Sequence, residues 1–343
     1  MNDRNAIPRR PTIDDVAKLA GVSRSTTARA LSGSGYAAAD VRDRVLSAAE
    51  QLGYVADSLA GSLRSRKSTS VGVLVSNMRD PFYAALAAGI GQRAQAAGYT
   101  MIVIDDREST AEEMKAARVF VGMRVGGVIV TPLSKDVGEY FRSQHIPVVE
   151  VDRTFGVDAT DAVLIDNVGA SRRLLDLLIG LGHRRIALLT DELYWTTGAG
   201  RFRGYSDALA AAGLEVQEDL VVSVALDVEA ARASSVELLT QPDRPTAVFA
   251  ANSLLTEGLW RATADLGLRV PEDLSIVAFD DAPWMSMVSP GVTAVSQDIV
   301  GLGEASMTRL LARMSDPSGP RETIVVNAQL LARGSTAPPR DHS

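Results

Sequence analysis

From Ser70 onward the chain alternates between two hydrophobic periods, and this limits its fold more than any other feature. Short apolar runs at Val71–Val75, Met101–Asp105, Val128–Thr131, Val148–Val151, Val163–Ile165, Ile186–Thr190, Val221–Val224, Ala247–Ala250 and Ile276–Phe279 are separated by longer stretches. Amphipathic examples are Phe82–Ala97, Val168–Leu181, Arg201–Ala212, Val228–Thr240 and Ser253–Leu266. Continuous apolar runs read as strands buried on both faces, with the amphipathic segments as the crossover helices that cover them. The expected class is α/β: two doubly wound parallel-sheet subdomains of about five strands each. Open sheets of this kind bind ligands beyond the carboxyl ends of their strands, so ligand-facing residues are expected just after strands.

Before Ser70 the period is helical. Apolar residues recur at three- and four-residue spacing as Ile13, Val16, Ala17 and Ala20, then Val22, Thr26, Ala30 and Leu31, then Val41, Val45, Leu46, Ala49 and Leu52. Three short helices sharing one small core follow. Thr12 with Asp15 has the form of a capping box, Ser23 is a good N-cap after the Gly21 turn, and Gly53 stops the third helix. The spacing puts Arg24, Ser25, Ala28 and Arg29 on an exposed face and turns Thr26, Ala30 and Leu31 inward. A helix-turn-helix places the start of its second helix in the DNA major groove, where an arginine pairs with guanine O6 and N7. A plain helical hairpin with a solvated cationic face fits the same stretch. A further short helical segment, Asp57–Arg64, runs into the polar linker sequence RSRKSTS.

Charge separates the two regions. The net charge is −7, yet residues 1–67 hold 11 Lys/Arg against 7 Asp/Glu, a balance of +4, so the remainder stands at −11. A cationic segment on an anionic body suits a polyanionic partner for the segment alone. With no cysteine and only His145, His183 and His342, neither thiolate chemistry nor a histidine-based metal site is expected, and no cofactor is called for. No apolar run is long enough to span a bilayer and the charged start lacks a secretory apolar core, so no membrane partner and a cytoplasmic location are expected. A nucleophile elbow, a P-loop and a glycine fingerprint after a first strand are all missing, which argues against an enzyme.

The stretch TIDDVAKLAGVSRSTTARALSGSG, followed by VRDRVLSAAEQLGYVADSLAGSLR, resembles the headpiece of the lactose-repressor (LacI/GalR) family of bacterial transcription regulators. The resemblance continues through DPFYAALAAGI, GLGHRRIALLT, RVPEDLSIVAFDD and LLARGST. It implies that Arg24, Ser25 and Arg29 read bases, that Thr12, Ser23 and Thr26 contact phosphates, and that Leu63 wedges into the minor groove from a hinge helix. Departures are Thr27-Ala28 where the family commonly has Val-Ser, and Asp57 and Gly61 where it has Asn and Arg. The implied core is periplasmic-binding-protein-like, with ligand held between two subdomains. The resulting plan is a flexible tail (1–11), a headpiece (12–56), a hinge and linker (57–70), a core (71–336) and a tail (337–343). Within the core, one subdomain takes residues 71–165 and 297–325, the other 166–296 and 326–336.

Candidate effector contacts follow from strand ends and the resemblance together. Phe82 and Tyr83 would stack on a sugar ring or base, or else pack in the core. Thr197 and Arg201 lie in TTGAGRFRGY, whose arginine would grip ligand hydroxyls or carboxylates. Asn252, Asp280, Asp152 and Asp166 follow strands, Asp166 being equally readable as a helix cap. Trp195 and Trp284 lie in expected loops as an apolar wall or sugar platform, whereas Trp260 reads as helix packing. The expected function is a DNA-binding repressor that grips a palindromic operator as a homodimer, its affinity set by a small, sugar-like effector; no leucine heptad suggests a tetramer. A solute-binding receptor with the same core is the alternative.

Overall fold

A computed structural model of the 343-residue chain describes residues 9–32, 36–54, 68–155 and 159–340. The chain divides into two compact units at Thr69/Ser70. The segment carrying Asp57, Gly61 and Leu63 lies outside the described residues.

The first unit contains helices α1 (Ile13–Ala20), α2 (Arg24–Ser32) and α3 (Ala39–Leu52) around Val16, Ala20, Ala30, Val45, Ala48 and Ala49. Gly21 and Gly53 end α1 and α3 in the left-handed conformation, φ 65° and 62°, which glycine adopts without steric cost. At the start of α1 the Asp15 carboxylate accepts from Thr12 N at 2.8 Å and Thr12 Oγ1 at 2.6 Å.

The second unit has two six-stranded sheets. One holds β1 (Ser70–Val75), β2 (Thr100–Asp105), β3 (Val128–Val130), β4 (Val148–Val151), β5 (Asp161–Ile165) and β11 (Thr323–Val326). Its order is β11-β5-β4-β3-β1-β2, and all neighbours are parallel. The other holds β6 (Ile186–Thr190), β7 (Val221–Ser223), β8 (Ala247–Ala250), β9 (Ser275–Phe279), β10 (Thr293–Ser296) and β12 (Gln329–Leu331). Its order is β12-β10-β9-β8-β6-β7, parallel but for the β10–β12 pair. The first five strands of each lobe thus repeat one topology, and the sixth differs, parallel at β11 and antiparallel at β12. The chain passes between lobes after β5, after β10 and after β11.

The interior strands other than β10 are the apolar runs of the sequence and are buried along nearly their whole length, as sheets covered on both faces require; β10, also buried, is an interior strand outside those runs, and each sheet has six strands in place of the expected five or so. Edge strands β2, β7, β11 and β12 are more exposed. Helices α4 (Pro81–Ala96) and α11 (Ile299–Ser315) cross closely on the first lobe. A Cβ on Gly89 would lie 2.1 Å from the Val300 carbonyl oxygen, and one on Gly303 would lie 2.4 Å from that of Leu86, so the crossing needs glycine on both helices. The second lobe repeats the device where α7 (Asn167–Gly180) meets α8 (Thr196–Ala211): a Cβ on Gly204 would reach the Val168 carbonyl at 2.4 Å. Helix α8 begins five residues before the expected Arg201, which puts Thr197 and Arg201 one turn apart on a single helix.

Candidate functional site

In the first unit, α2 presents the cationic face that its spacing requires. Arg24, Ser25 and Arg29 are exposed, while Thr27 and Ala30 are buried. The inward threonine is therefore Thr27, and Thr26, expected to turn inward, is half-exposed on the rim. Thr27 has nearly the shape of valine, and burial strands no hydroxyl because its Oγ1 donates to Ser23 O at 3.1 Å. Ser23 caps α2, its Oγ accepting from Thr26 N at 3.2 Å and lying 2.9 Å from the hydroxyls of Ser25 and Thr26. The first turn of α2 carries no acid, so no side chain of that helix opposes a phosphate at its positive end. Arg24 Nε lies 3.5 Å from Asp14 Oδ1, but both side chains are mostly exposed and such a pair is worth little.

In the second unit a cavity of 30 Å³ lies between the lobes, lined by residues that follow strand ends or open helices. From the first lobe come Asp80, Phe82, Tyr83, Asp152 and Arg153; from the second come Asp191, Thr197, Arg201, Leu226, Asn252 and Asp280. An adjoining cavity of 350 Å³ shares Asp191 and Leu226 and adds Glu108, Leu133, Tyr194 and Trp195.

Helix starts fix several of these side chains. Asp80 Oδ1 caps α4 by accepting from Phe82 N at 2.9 Å, and Asn252 Oδ1 caps α10 (Ser253–Asp265) by accepting from Leu254 N at 2.7 Å. Their remaining polar atoms meet across the lobes, Asn252 Nδ2 donating to Asp80 Oδ2 at 3.3 Å. Phe82 and Tyr83 are buried edge to face with centroids 5.1 Å apart. They are core and cavity wall at once.

Arg201 is stretched over the Phe279 ring with its Cζ 3.9 Å from the centroid. Its Nε donates to Asn167 Oδ1 at 2.9 Å and its Nη1 to the Ala251 carbonyl at 2.5 Å. Among the described residues no hydrogen bond engages Nη2, which leaves that nitrogen to a ligand. Arg153 is 2% exposed, donates from Nη2 to the Tyr83 hydroxyl at 2.6 Å, and lies over Trp195 with its Cζ 4.2 Å from the ring centroid.

Four aspartates face these two arginines. Burial raises the carboxyls of Asp80, Asp152 and Asp191 above the ordinary range and pushes Asp280 up to about 7, with Arg201 pulling the other way in each case. Gln297, where the chain passes from β10 to α11, donates to Asp280 Oδ1. A small enclosure with more carboxylate than guanidinium accepts hydroxyl donors readily and disfavours an anion.

Three expected contacts stand elsewhere. Asp166 caps α7, accepting from Gly169 N at 2.8 Å, so its helix-cap reading describes what it does. Trp284 lies in a 3₁₀ turn against Trp260, centroids 6.1 Å apart, both half-buried against the second lobe's own core. Trp195 precedes α8 and lines the adjoining cavity, not the central one. In the sequence Asp80 appears only within DPFYAALAAGI, and nothing there marks Arg153 or Asp191. For Asp80 a signal existed, since Asp before Pro is a typical helix start at the end of a strand. Among the described residues no cluster of His, Cys, Asp or Glu could hold a metal ion, and no helix is long and apolar enough to cross a membrane.

Residues 12–57 match the family model described as bacterial regulatory proteins, lacI family, and residues 175–336 match a periplasmic binding protein-like domain. The HTH-type transcriptional regulator CelR of Thermobifida fusca is 32% identical over 336 residues, covering 95% of this chain and 98% of its own. A solved CelR–cellobiose complex superposes with a TM-score of 0.72 at 30% identity, over 95% of this chain and all of that one. The lac repressor dimer bound to operator and the anti-inducer ONPF gives 0.84 at 25% identity, over 96% of this chain and all of that one.

Proposed function

The chain belongs to the lacI family of bacterial regulatory proteins, a DNA-binding transcription regulator and not an enzyme, and from that premise we propose that it is a repressor controlled by a neutral, sugar-like effector. As a homodimer it binds a palindromic operator, since one headpiece reads one half-site and a two-fold site calls for a two-fold protein. Arg24, Ser25 and Arg29 meet base edges; Thr12, Ser23 and Thr26 meet phosphates; Leu63 supplies the wedge. The exposure of the α2 face and the lack of acid in its first turn support this reading.

The effector lies between the lobes against Phe82, Tyr83, Asp152, Thr197, Arg201, Asn252 and Asp280. The observation that carries this assignment is Arg201, buried between lobes with two nitrogens held by protein and the third left over, opposite the raised carboxyl of Asp280. A donor facing acceptors in a water-poor site selects a ligand that both gives and takes hydrogen bonds, as vicinal hydroxyls do. The cellobiose in the CelR structure supports the same class. The cavity is far smaller than a sugar ring, so binding requires the lobes to part and reclose. Movement of one lobe against the other is then the step that reaches the operator-binding end, and by reciprocity operator changes sugar affinity by the same factor.

The test is a melting-temperature screen of monosaccharides, disaccharides, sugar phosphates and nucleobases, followed by operator titration with each hit. A neutral sugar is expected to raise the melting temperature and alter operator affinity, and Arg201→Ala to lose both effects. Stabilisation by sugar phosphates or nucleobases alone overturns the assignment of ligand class.

A further inference from the structure

The first lobe carries a second recess, at the opposite ends of its strands from the cleft. Its volume is 240 Å³, against 30 Å³ for the central cavity. Ile146, Pro147 and Val148, which lead into β4, give it apolar surface, while the other end of the same strand delivers Asp152 to the cleft. Because all neighbouring strands of this sheet are parallel, the recess lies on the edge where β1 begins at Ser70. Arg142, His145, Arg313 and Arg321 supply its polar side chains, and no Asp or Glu among the described residues lines it.

The acids that balance these arginines do not line the recess. Asp161, fully buried, accepts from Arg313 Nε at 2.6 Å and Arg309 Nε at 2.9 Å, and Glu322 pairs with Arg309 at 2.8 Å. Arg313 spends its other N–H groups on Asp161 and on the carbonyls of Asp316, Pro317, Gly319 and Pro320, so it adds positive field but no free donor. Arg142, at the end of α6 (Lys135–Ser143), is half-buried and held in place by donating from Nη1 to Thr160 Oγ1 at 2.5 Å. Gly138 leaves room for that nitrogen and for buried Glu150 behind it, since a Cβ there would lie 3.2 Å from Arg142 Nη1 and 3.0 Å from Glu150 Oε1. Among the described residues Arg142 Nε and Nη2 have no hydrogen bond. Arg321 has none at all: its nearest carboxylate oxygen, Asp161 Oδ2, is 3.9 Å away, beyond hydrogen-bond reach.

We propose that this recess binds a small organic anion, a carboxylate or phosphate monoester joined to an apolar body. The oxyanion takes the unused donors of Arg142 and Arg321, whose planar forks match paired oxygens, and the apolar body covers Ile146, Pro147 and Val148. Arg313 beneath adds attraction that solvent screens poorly. The selectivity is the reverse of the cleft's, where four aspartates oppose an anion, so the two sites take different ligands. A concave site with an apolar floor suits a compact molecule better than the convex backbone of a duplex. The assignment does not depend on what the cleft binds.

The test is calorimetric titration of the full-length protein with phenyl phosphate and with benzoate, using inorganic phosphate as the head group alone and benzyl alcohol as the uncharged body. At least one aryl anion is expected to bind at one site per chain, inorganic phosphate more weakly and benzyl alcohol not at all. Arg321→Gln removes an exposed side chain without hydrogen bonds, so it should melt as wild type does and bind the aryl anion about tenfold or more weakly, because hydrogen bonds to charged groups are among the stronger ones. Arg142→Lys, which keeps the charge and loses the fork, should weaken it by a smaller factor. Arg201→Ala and Arg24→Ala should bind it as wild type does, which separates this site from the cleft and from the headpiece. Undiminished binding in Arg321→Gln, loss of binding in Arg201→Ala or Arg24→Ala, or no binding of either aryl anion overturns the proposal. Should neither aryl anion bind while Arg321→Gln lowers the salt dependence of operator binding by about 0.9, the value of one phosphate contact, Arg321 meets DNA and the small-anion site is refuted.

Discussion

Asp152 and Asp280 occupy one position twice over. Each is the first residue after the fourth strand of its sheet, counted from the β2 or β7 edge, and each holds a left-handed backbone, φ 66° and 70°. Asp and Asn enter this region more readily than other non-glycine residues. Two copies of one turn thus aim a carboxylate from each lobe at the same enclosure, where burial raises both.

Replacing Asp280 by Asn separates stability from ligand response. Its carboxyl is pushed up to about 7 in the folded protein against 3.8 as the ordinary value. The protonated form is thus the one that folding favours, and the stability it contributes is full below about pH 4 and lost as the pH rises through 7. Asn keeps the shape, the left-handed backbone and a partner for Gln297 while remaining neutral. Asp280→Asn should therefore melt about 2–4 °C higher than wild type at pH 8, the shift that ~1 kcal/mol produces at this size, and the gain should shrink towards pH 5. Sugar-induced stabilisation should fall, because the best acceptor has been lost. Equal melting temperatures at pH 8 would show that Asp280 is not held above its ordinary range.

Gly89→Ala tests the helix crossing of the first lobe. The added Cβ would meet backbone, the Val300 carbonyl at 2.1 Å, and backbone in a packed helix pair cannot step aside as a flexible side chain does. Ala favours a helix over Gly by roughly 1 kcal/mol, but a forced separation of α4 and α11 costs about 1–3 kcal/mol or more. A lower melting temperature is expected, whereas Gly122→Ala on the open face of α5 (Thr110–Met123) should be neutral or stabilising, since nothing lies within 4 Å of its Cβ. Equal effects at the two sites would refute the close approach.

Most of each sheet's interior was legible because strands such as Ser70–Val75 and Ile186–Thr190 are apolar over nearly their whole length; the interior strand Thr293–Ser296, short and with Thr and Ser at its ends, was not. The strands Thr323–Val326 and Gln329–Leu331 were not, because edge strands alternate or stay half-exposed and lose that signal. The start of α8 was hidden by TTGAG, two β-branched residues and two glycines that read as non-helical. Gly198 is nevertheless required there, as a Cβ would meet the Glu192 carbonyl at 2.5 Å. Among site residues, Arg201 and Asp280 were legible through family likeness and strand-end position. Arg153 was not, since its partners Tyr83 and Trp195 come from distant segments and no local spacing marks it. Nothing local distinguishes Trp195 from Trp284 either; only the fold sends one to the cleft rim and the other into a core.

Arg24→Ala should relax the operator's base preference at one position. Its pairing with exposed Asp14 is weak, so little holds the guanidinium back from a guanine edge. Loss of a bidentate contact removes about 1–3 kcal/mol of discrimination at the position read, and the salt dependence should change little in comparison. Titrating a base-substituted operator series checks this; an unchanged preference at every position would place Arg24 outside the reading face.

His183 gives the second lobe a dependence on pH of opposite sign. Its Nε2 lies 2.9 Å from the Ala337 carbonyl, which can only accept, so the ring proton belongs on Nε2 and Nδ1 accepts from Thr246 Oγ1 at 2.8 Å. The neutral tautomer thereby ties the segment around Ala337 to the sheet at Thr246. Burial lowers the imidazole below its ordinary 6.5, with Ala337 opposing. The unfolded chain thus takes up a proton before the folded one does, and the stability from His183 is full above 6.5 and lost as the pH falls below it. Protonation at Nδ1 also turns the Thr246 contact into donor against donor unless the hydroxyl rotates. Wild-type protein should lose melting temperature between pH 7 and 5.5, and His183→Gln, less stable at pH 7 by about 1–2 kcal/mol for the missing hydrogen bonds, should lose less over that interval. A parallel decline in the two proteins would remove His183 as the source, leaving the acid sensitivity to groups outside this contact.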